Sequence, residues 1–446
     1  MNTGFPEYPR AAVITLGCRV NQYESDVIAG ELEAAGFDIV PEGEPCDVTV
    51  VNTCTVTAES DRKSRQRIRR AAAANPGAPV IVTGCFAQIS PDAAAALPGV
   101  AAVVGNADKE KICLLAQELA AGAGIRRIQP SDMARAAYDG MTLARPRRTR
   151  AYIKIEDGCE NRCAYCIIPR ARGRVRSKTP QTVAAEAEAL VRAGCVEIIL
   201  TGIETAAYGR DAGGEFSLAS LLRTLGTIPG IRRIGLGSLD PSLLRDDFLA
   251  AAAEVQAVLP HFHLSLQSGS SSVLRRMRRP YNALQAQERM EALRCAVPGC
   301  TLTADVIAGF PGETEEEFEE TARFCRDGRF LHLHIFPYSI RRGTEAADMP
   351  GQLPEEEKRR RAAELIRRQA QWKRELLEDY VRAHETAPVQ LLIEEEKGGG
   401  CAGHSEHYVE ILTDTVCGEP GETVPVCLER VEGEVCRGRS ARIGKA

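Results

Sequence analysis

The segment AYIKIEDGCENRCAYCIIPRARGRVRS, residues 151–177, joins a short β-type run to a loop with three closely spaced cysteines. Cys159, Cys163 and Cys166 form the pattern C-x-x-x-C-x-x-C. Three thiolates at this spacing can bind three irons of a 4Fe-4S cube and leave the fourth iron open to a substrate. A tetrahedral zinc ion would require a fourth ligand, and no His or Cys follows within the loop. Zinc and inert buried thiols are the alternatives.

Strand, loop and helix patterns repeat after this segment. A helix is predicted from Thr179 and Pro180 to Gly194, because proline favours the first helical turn and glycine follows the last. Further β-type runs occupy residues 195–202, 231–238, 261–268, 301–310 and 330–339. Five or six βα units in succession predict a complete or partial parallel (β/α) barrel. Active residues of such barrels lie on loops that follow strands, as the cysteine loop does.

Three further cysteines end β-type runs in the N-terminal part of the chain. Cys18 follows AAVITLG, Cys54 ends CDVTVVNTC and Cys85 ends APVIVTGC. The carboxyl ends of parallel strands lie along one edge of an open sheet, so the three thiols are expected to converge there. The alternative is that they are small buried hydrophobic residues.

The chain is predicted to be an α/β protein of three domains. Residues 121–150 lose apolar periodicity and end in the basic run ARPRRTR, which indicates a linker. After Ala387 the pattern changes to short β-type runs with Gly-rich turns. We therefore predict an N-terminal open parallel α/β domain, a central partial (β/α) barrel and a small C-terminal β-barrel. Their predicted bounds are 1–142, 143–376 and 377–446.

Composition limits the partners and the compartment. The 446 residues carry a net charge of −5, so the chain does not attract polyanions as a whole. Local basic patches at 61–70, 145–178 and 274–281 are the candidate RNA-binding surfaces. No apolar run reaches the roughly 20 residues that span a bilayer, and no signal peptide is evident. We expect a cytoplasmic protein, not bound to membranes, whose 16 cysteines serve metal or redox chemistry rather than disulfides.

The patch that follows the cysteine loop also has an alternating pattern. Arg170, Arg172, Arg174 and Arg176 would share one face if this segment were extended. Tyr165 and Tyr281 are candidate stacking platforms for an unstacked RNA base, with core packing as the alternative.

The cysteine loop, the strand before it and the barrel after it resemble the radical S-adenosylmethionine superfamily. With the three N-terminal cysteines and the C-terminal β-unit, essentially the whole chain resembles the methylthiotransferases of that superfamily. The segments LGCRVNQYES, NTCTVT and GLGSLDPS are similar to the group that acts on N6-threonylcarbamoyladenosine at tRNA position 37.

The resemblance implies two 4Fe-4S clusters, one on Cys159, Cys163 and Cys166 and a sulfur-handling one on Cys18, Cys54 and Cys85. S-adenosylmethionine would be both methyl donor and radical source, and the product would be a 2-methylthio adenosine. The same fold could instead act on isopentenyladenosine or on a ribosomal-protein aspartate. A non-catalytic iron-sulfur protein that binds RNA is the interpretation from another class.

Strand ends after the cysteine loop are the candidate S-adenosylmethionine contacts. These are Gly202, Glu204, Ser238, Gln267, Asp305 and Gly309. Glu204 stands where this group often has His. The implied partners are a tRNA anticodon loop, a reductant such as flavodoxin or ferredoxin, and a sulfur donor. The C-terminal unit resembles the RNA-binding TRAM barrel, although residues 385–446 hold 12 acidic and 6 basic side chains.

Overall fold

The computed structural model describes residues 8–124, 130–134, 136–138 and 140–441, so the predicted linker lies partly outside the described residues. The N-terminal part is a parallel sheet in the order β2-β1-β3-β4-β5. Its strands are β1 Arg10–Thr15, β2 Asp38–Ile39, β3 Val48–Thr53, β4 Val80–Gly84 and β5 Val100–Val103. Its helices are α1 Arg19–Ala34, α2 Ala58–Ala74, α3 Cys85–Ile89, α4 Pro91–Ala95 and α5 Ile112–Ala120. Strands β3 and β4 are buried throughout, as expected for a parallel sheet covered on both faces.

The central part is an arc of parallel strands in two sheets, ordered β10-β9-β6 and β11-β12-β13-β14. Their strands are β6 Arg150–Lys154, β9 Glu197–Thr201, β10 Arg233–Leu236, β11 Ser238–Leu239, β12 His261–Gln267, β13 Thr301–Ala308 and β14 His332–Pro337. Strands β7 Glu156–Asp157 and β8 Arg176–Ser177 pair antiparallel in a separate two-stranded sheet. An isolated bridge pairs Ile234 of β10 with Val258, which precedes β12. Within the described ranges, no pairing connects β6 to β14, which leaves a partial barrel.

Helices alternate with these strands along the chain. They are α6 Ile168–Arg172, α7 Pro180–Arg192, α8 Leu218–Gly226, α9 Asp246–Glu254, α10 Ser271–Arg276, α11 Ala283–Ala296, α12 Glu315–Asp327 and α13 Glu355–Ala383. Helix α7 begins with Pro180 after the N-cap Thr179, whose hydroxyl accepts a hydrogen bond from the Thr182 amide. The predicted helix start is therefore confirmed.

The C-terminal part is a closed barrel in the order β15-β16-β17-β19-β18. Its strands are β15 Val389–Lys397, β16 Gly400–His404, β17 Glu410–Thr413, β18 Thr423–Glu432 and β19 Val435–Ser440. The predicted α/β class, the N-terminal parallel sheet and the small C-terminal barrel are confirmed. Helix α13 runs across the division predicted at 376/377 and packs against both β14 and β18, so the domain bounds stay predictions. In the described part of the chain, no helix is both long and apolar enough to cross a bilayer.

Candidate active site

The structure brings Cys18, Cys54 and Cys85 to the carboxyl edge of the N-terminal sheet. Cys18 precedes α1, Cys54 follows β3 and Cys85 begins α3. Asn21 holds the ends of β1 and β3 together, because its Nδ2 donates to the carbonyls of Leu16 at 2.7 Å and Thr53 at 2.9 Å. The three thiols are near enough to act on one another electrostatically.

Close packing at this edge requires a glycine before Cys18. Gly17 has a φ of +105°, and a Cβ at this position would lie 2.8 Å from the Cys54 Cβ. A larger residue would therefore separate Cys18 from Cys54 and also strain the backbone.

The environment of this triad suits an iron-sulfur cluster. Burial, and next the charge of Cys85, raises the pKa of Cys54 to about 11. Burial likewise raises the pKa of Cys18. Three thiolates cannot form here unless a positive group compensates their charge, and thiolates are the usual ligands of iron-sulfur clusters.

Arg172 supplies part of that positive charge. This side chain is fully buried, and its Nε donates to the Cys85 Sγ at 3.3 Å. Its other nitrogens donate to Asn21 Oδ1 at 2.7 Å, to Glu24 Oε1 at 2.5 Å and to Asp157 Oδ2 at 3.2 Å. Arg172 thus ties the segment after the cysteine loop to the N-terminal triad.

Arg172 was predicted to belong to an alternating face of four arginines, and that prediction is wrong. Residues 168–172 form helix α6 instead of an extended segment. Arg172 and Arg176 are buried beside Asp157, whereas Arg170 and Arg174 are exposed. The buried pair stabilises the domain contact, and the exposed pair remains available to a polyanion.

The loop cysteines Cys159, Cys163 and Cys166 are half-buried at the mouth of the barrel. The amide of Cys166 donates to the carbonyl of Cys163 at 3.1 Å, which closes a turn. Burial raises the pKa of Cys166 to about 12. Gly158, with a φ of +92°, allows the loop to approach Arg174, since a Cβ there would lie 1.9 Å from the Arg174 carbonyl oxygen.

Arg279 donates a hydrogen bond to a cysteine of this loop, as Arg172 does to a cysteine of the N-terminal triad. Its Nη1 donates to the Cys163 Sγ at 3.2 Å, and its Nη2 to Asp240 Oδ2 at 2.7 Å. The Tyr281 hydroxyl donates to the carbonyl of Leu266 at 2.8 Å, and the ring lies under the Arg279 guanidinium. Tyr281 is therefore a buried packing residue and not the stacking platform considered from the sequence. Arg279 was predicted only as part of the basic patch at 274–281, and its side chain is instead buried against Asp240. Nothing in the local sequence marks its contact with a cysteine 116 residues away.

The distances between the sulfur atoms of each cysteine triad argue against zinc. Among the described residues, one group of three His, Cys, Asp or Glu side chains has its donor atoms within 4.8 Å of one another, and it is His263, Asp305 and His334. Neither cysteine triad has this spacing. Sulfur ligands of one tetrahedral zinc would need to lie about 2.3 Å from a shared ion.

A cavity of about 650 Å³ opens between the N-terminal triad, the barrel strands and the C-terminal barrel. It is lined by Cys18 and by three of the predicted S-adenosylmethionine contacts, Gly202, Ser238 and Asp305. Its barrel wall carries His263 and His334. Both histidines face this cavity.

The other three predicted contacts do not line this cavity. Glu204 is buried, and its Oε1 accepts a hydrogen bond from the Asp240 amide at 3.0 Å. Gln267 has a φ of +70° at the end of β12. The Gly309 amide donates to Glu313 Oε2 at 2.7 Å, beside helix α13. Their assignment to the cofactor stays a prediction.

Glu204 should make the free energy of unfolding depend on pH. Burial, and next the charge of Asp240, raises its pKa from 4.5 to about 8. Between these values the folded protein holds a proton that the unfolded chain has released, so the Glu204 contribution to stability falls as pH rises. In the Glu204→Gln variant, the amide side chain does not titrate in the folded or in the unfolded protein. The variant should gain stability relative to wild type from pH 5.5 to 8, by up to about 1.4 kcal/mol per pH unit.

This difference is measured by urea unfolding of both proteins at each pH, with the exposed Glu188→Gln as control. A constant difference between Glu204→Gln and wild type across the pH range would contradict the raised pKa.

Comparisons with known proteins agree with this architecture. The profile of an uncharacterized protein family, UPF0004, matches residues 10–105, and that of the radical SAM superfamily matches residues 153–325. A structure of the radical S-adenosylmethionine methyltransferase TsrM from Kitasatospora setae has a TM-score of 0.55 and 16% identity, covering 76% of this chain and 77% of that one. That likeness concerns the fold alone.

Several curated relatives are similar over most of the chain. Threonylcarbamoyladenosine tRNA methylthiotransferase MtaB of Bacillus subtilis (strain 168) is 41% identical over 405 residues, 89% of each chain. The protein of that name from Thermotoga maritima is 39% identical over 78% of this chain and 79% of its own. A tRNA-2-methylthio-N(6)-dimethylallyladenosine synthase of Acidothermus cellulolyticus is 38% identical over 81% of this chain and 73% of its own. The chain therefore belongs to the radical S-adenosylmethionine tRNA methylthiotransferases.

Proposed function

We propose that this enzyme converts N6-threonylcarbamoyladenosine at position 37 of tRNA to its 2-methylthio derivative, using two 4Fe-4S clusters and S-adenosylmethionine. One observation carries the proposal: a single cavity extends from Cys18 of one cysteine triad to Gly202, Ser238 and Asp305 of the barrel that bears the other. A base in this cavity would contact both halves of the chemistry. The similarity to the Bacillus subtilis protein supports the choice of substrate.

The cysteines would hold the two clusters. Cys159, Cys163 and Cys166 would bind the one that leaves an iron open to S-adenosylmethionine, and the N-terminal triad would bind the other. When bound, these groups supply what no side chain can, a radical that removes hydrogen from adenine C2 and a methylated sulfur that replaces it. The reaction also consumes electrons and sulfur, so a reductant such as flavodoxin or ferredoxin and a sulfur donor would be partners.

The protein's own residues orient these groups and protect them. Arg172 and Arg279 donate hydrogen bonds to Cys85 and Cys163 and place fixed positive charge beside each triad. A hydrogen bond to a thiolate favours the charged form over the thiol. Because Glu24 and Asp240 anchor the two arginines, the Cys85 and Cys163 thiols each face a fixed hydrogen-bond donor.

The surface beside the cysteine loop suits a tRNA. An open cleft of about 990 Å³ is lined by the loop cysteines and by four arginines, Arg162, Arg170, Arg174 and Arg278. Phosphate contacts by arginine supply much of the affinity of RNA-binding proteins. An anticodon loop could therefore approach the barrel mouth despite the net negative charge of the chain.

A second candidate substrate is the dimethylallyl (isopentenyl) derivative of the same adenosine, because the relative from Acidothermus cellulolyticus has that name. Its reaction would use the same two cysteine triads. The N6 substituent alone distinguishes the two substrates.

Mass spectrometry of tRNA nucleosides tests the proposal directly. We expect cells that lack this protein to lose the 2-methylthio form of threonylcarbamoyladenosine and to accumulate the unthiolated form. Wild-type protein should restore the product, and the Cys54→Ala variant should not. If the dimethylallyl derivative lost its methylthio group instead, the second candidate would be correct. No change in either nucleoside would reject both.

A further inference from the structure

Arg19 is a charged side chain of the central cavity that has no partner. It follows Cys18, begins helix α1 and is half-buried. Across the residues that the structure describes, its guanidinium makes no hydrogen bond or ion pair. Lys373, the other Lys or Arg of the cavity lining, is paired with Glu434 at 2.8 Å. The cavity thus contains one cation that no neighbouring carboxylate compensates.

The wall of the cavity that Arg19 shares also carries polar side chains. It carries His263, whose Nε2 lies 3.3 Å from Asp305 Oδ2, and His334, whose ring is 5.4 Å from that of His263. Arg19 is near enough for its charge to act on His334. A ligand group that enters this cavity could therefore reach the Arg19 guanidinium, the two imidazoles and the Asp305 carboxylate.

The two candidate substrates differ in what they could offer to these groups. A threonylcarbamoyl substituent carries a carboxylate, a hydroxyl and amide N–H groups, whereas a dimethylallyl substituent is an uncharged hydrocarbon. Placing the hydrocarbon beside Arg19 would remove water from the guanidinium without replacing its hydrogen bonds, which is unfavourable. A carboxylate would pair with it, as guanidinium groups commonly do.

The positions of N6 and C2 in adenine also favour a contact between Arg19 and the N6 substituent. N6 and C2 lie on the same edge of adenine and flank N1, so a group on N6 is close to the carbon that receives sulfur. Arg19 is adjacent to Cys18, a ligand of the proposed sulfur-handling cluster. We infer that Arg19 forms a carboxylate-binding site for the threonyl group of the substrate base, an inference that rests on the proposed function. Arg19 would then be a specificity-determining residue.

Binding measurements on the holoenzyme test this site. The probes are anticodon stem-loop RNAs with threonylcarbamoyladenosine at position 37, with its uncharged methyl ester, or with unmodified adenosine. Wild-type protein should bind the carboxylate RNA roughly 10- to 100-fold more tightly than the ester. Arg19→Gln should reduce this ratio to near one, and Arg19→Lys should retain part of it. Arg192→Gln, a variant at an exposed arginine of helix α7, is the matched control and should keep the wild-type ratio.

Three results would overturn the inference. Arg19→Gln could keep the preference for the carboxylate RNA. It could also lower the affinity for all three RNAs equally, which would make Arg19 a phosphate contact. Wild-type protein could also bind the ester RNA as tightly as the carboxylate RNA. This comparison uses the wild-type protein alone, so it does not depend on whether a variant folds. The iron content of each variant verifies that both clusters are loaded. Nucleoside analysis could show threonylcarbamoyladenosine as the substrate while the ratio of carboxylate to ester affinity does not depend on Arg19. In that case the inference about Arg19 fails and the proposed function stands. If the substrate is the dimethylallyl derivative, the proposed function fails.

Discussion

The Cys163→Ala variant is expected to form no 5′-deoxyadenosine and no methylthio product when it is given S-adenosylmethionine, a reductant and substrate RNA. Cys163 lies in the cysteine loop, where its Sγ accepts a hydrogen bond from Arg279. Removing one of three thiolate ligands should prevent assembly of the cluster that binds S-adenosylmethionine. Both products are measured by mass spectrometry of the same reaction.

The Cys54→Ala variant distinguishes the two triads. Its substitution lies in the N-terminal sheet, so radical cleavage should continue while sulfur insertion stops. The exposed Cys295→Ala serves as control and should retain both reactions. Equal loss of 5′-deoxyadenosine in Cys163→Ala and Cys54→Ala would contradict two separate clusters. Circular dichroism of each variant is required first, because a bound cluster also stabilises its domain.

The second large effect is expected from Arg172→Met, which should destabilise the protein by about 3 kcal/mol. Glu24 is fully buried, and burial alone would raise its pKa. Arg172, Lys109 and Lys154 outweigh burial and hold the pKa of Glu24 well below its ordinary value. Without Arg172, two lysines remain near Glu24, so the loss lies at the lower end of the range for a broken buried ion pair.

Urea unfolding and iron content measure the effect of Arg172→Met. The variant should also load less iron at the N-terminal triad, because Cys85 loses the hydrogen bond from Nε. Arg174→Met is the matched control, since this neighbouring arginine is exposed and should be neutral. Adding Glu24→Gln to Arg172→Met should destabilise the protein further, because it removes the carboxylate that the buried Lys109 and Lys154 still contact. Equal stability of Arg172→Met and Arg174→Met would show that the buried network contributes nothing.

Local patterns were sufficient for the architecture. Short apolar β-type runs followed by helix-capable segments predicted the parallel sheet and the partial barrel, because these patterns depend on neighbouring residues. The same patterns placed Cys18, Cys54 and Cys85 at strand ends, and parallel topology brings such ends to one edge. The spacing of Cys159, Cys163 and Cys166 carried its chemical meaning within eight residues.

Roles that depend on distant segments did not follow from those patterns. Arg172 and Arg174 are two residues apart and have the same side chain, yet Arg172 is buried against Glu24, 148 positions away, and Arg174 is exposed. Similarly, Asp305 lines the cavity and Gly309 packs beside α13, although both belong to one predicted strand run, residues 301–310. Docking of one domain on another decides which charges lose their water and which partners they find. That burial is a property of the assembled chain, because desolvation and ion pairing are set by neighbours in space rather than in sequence.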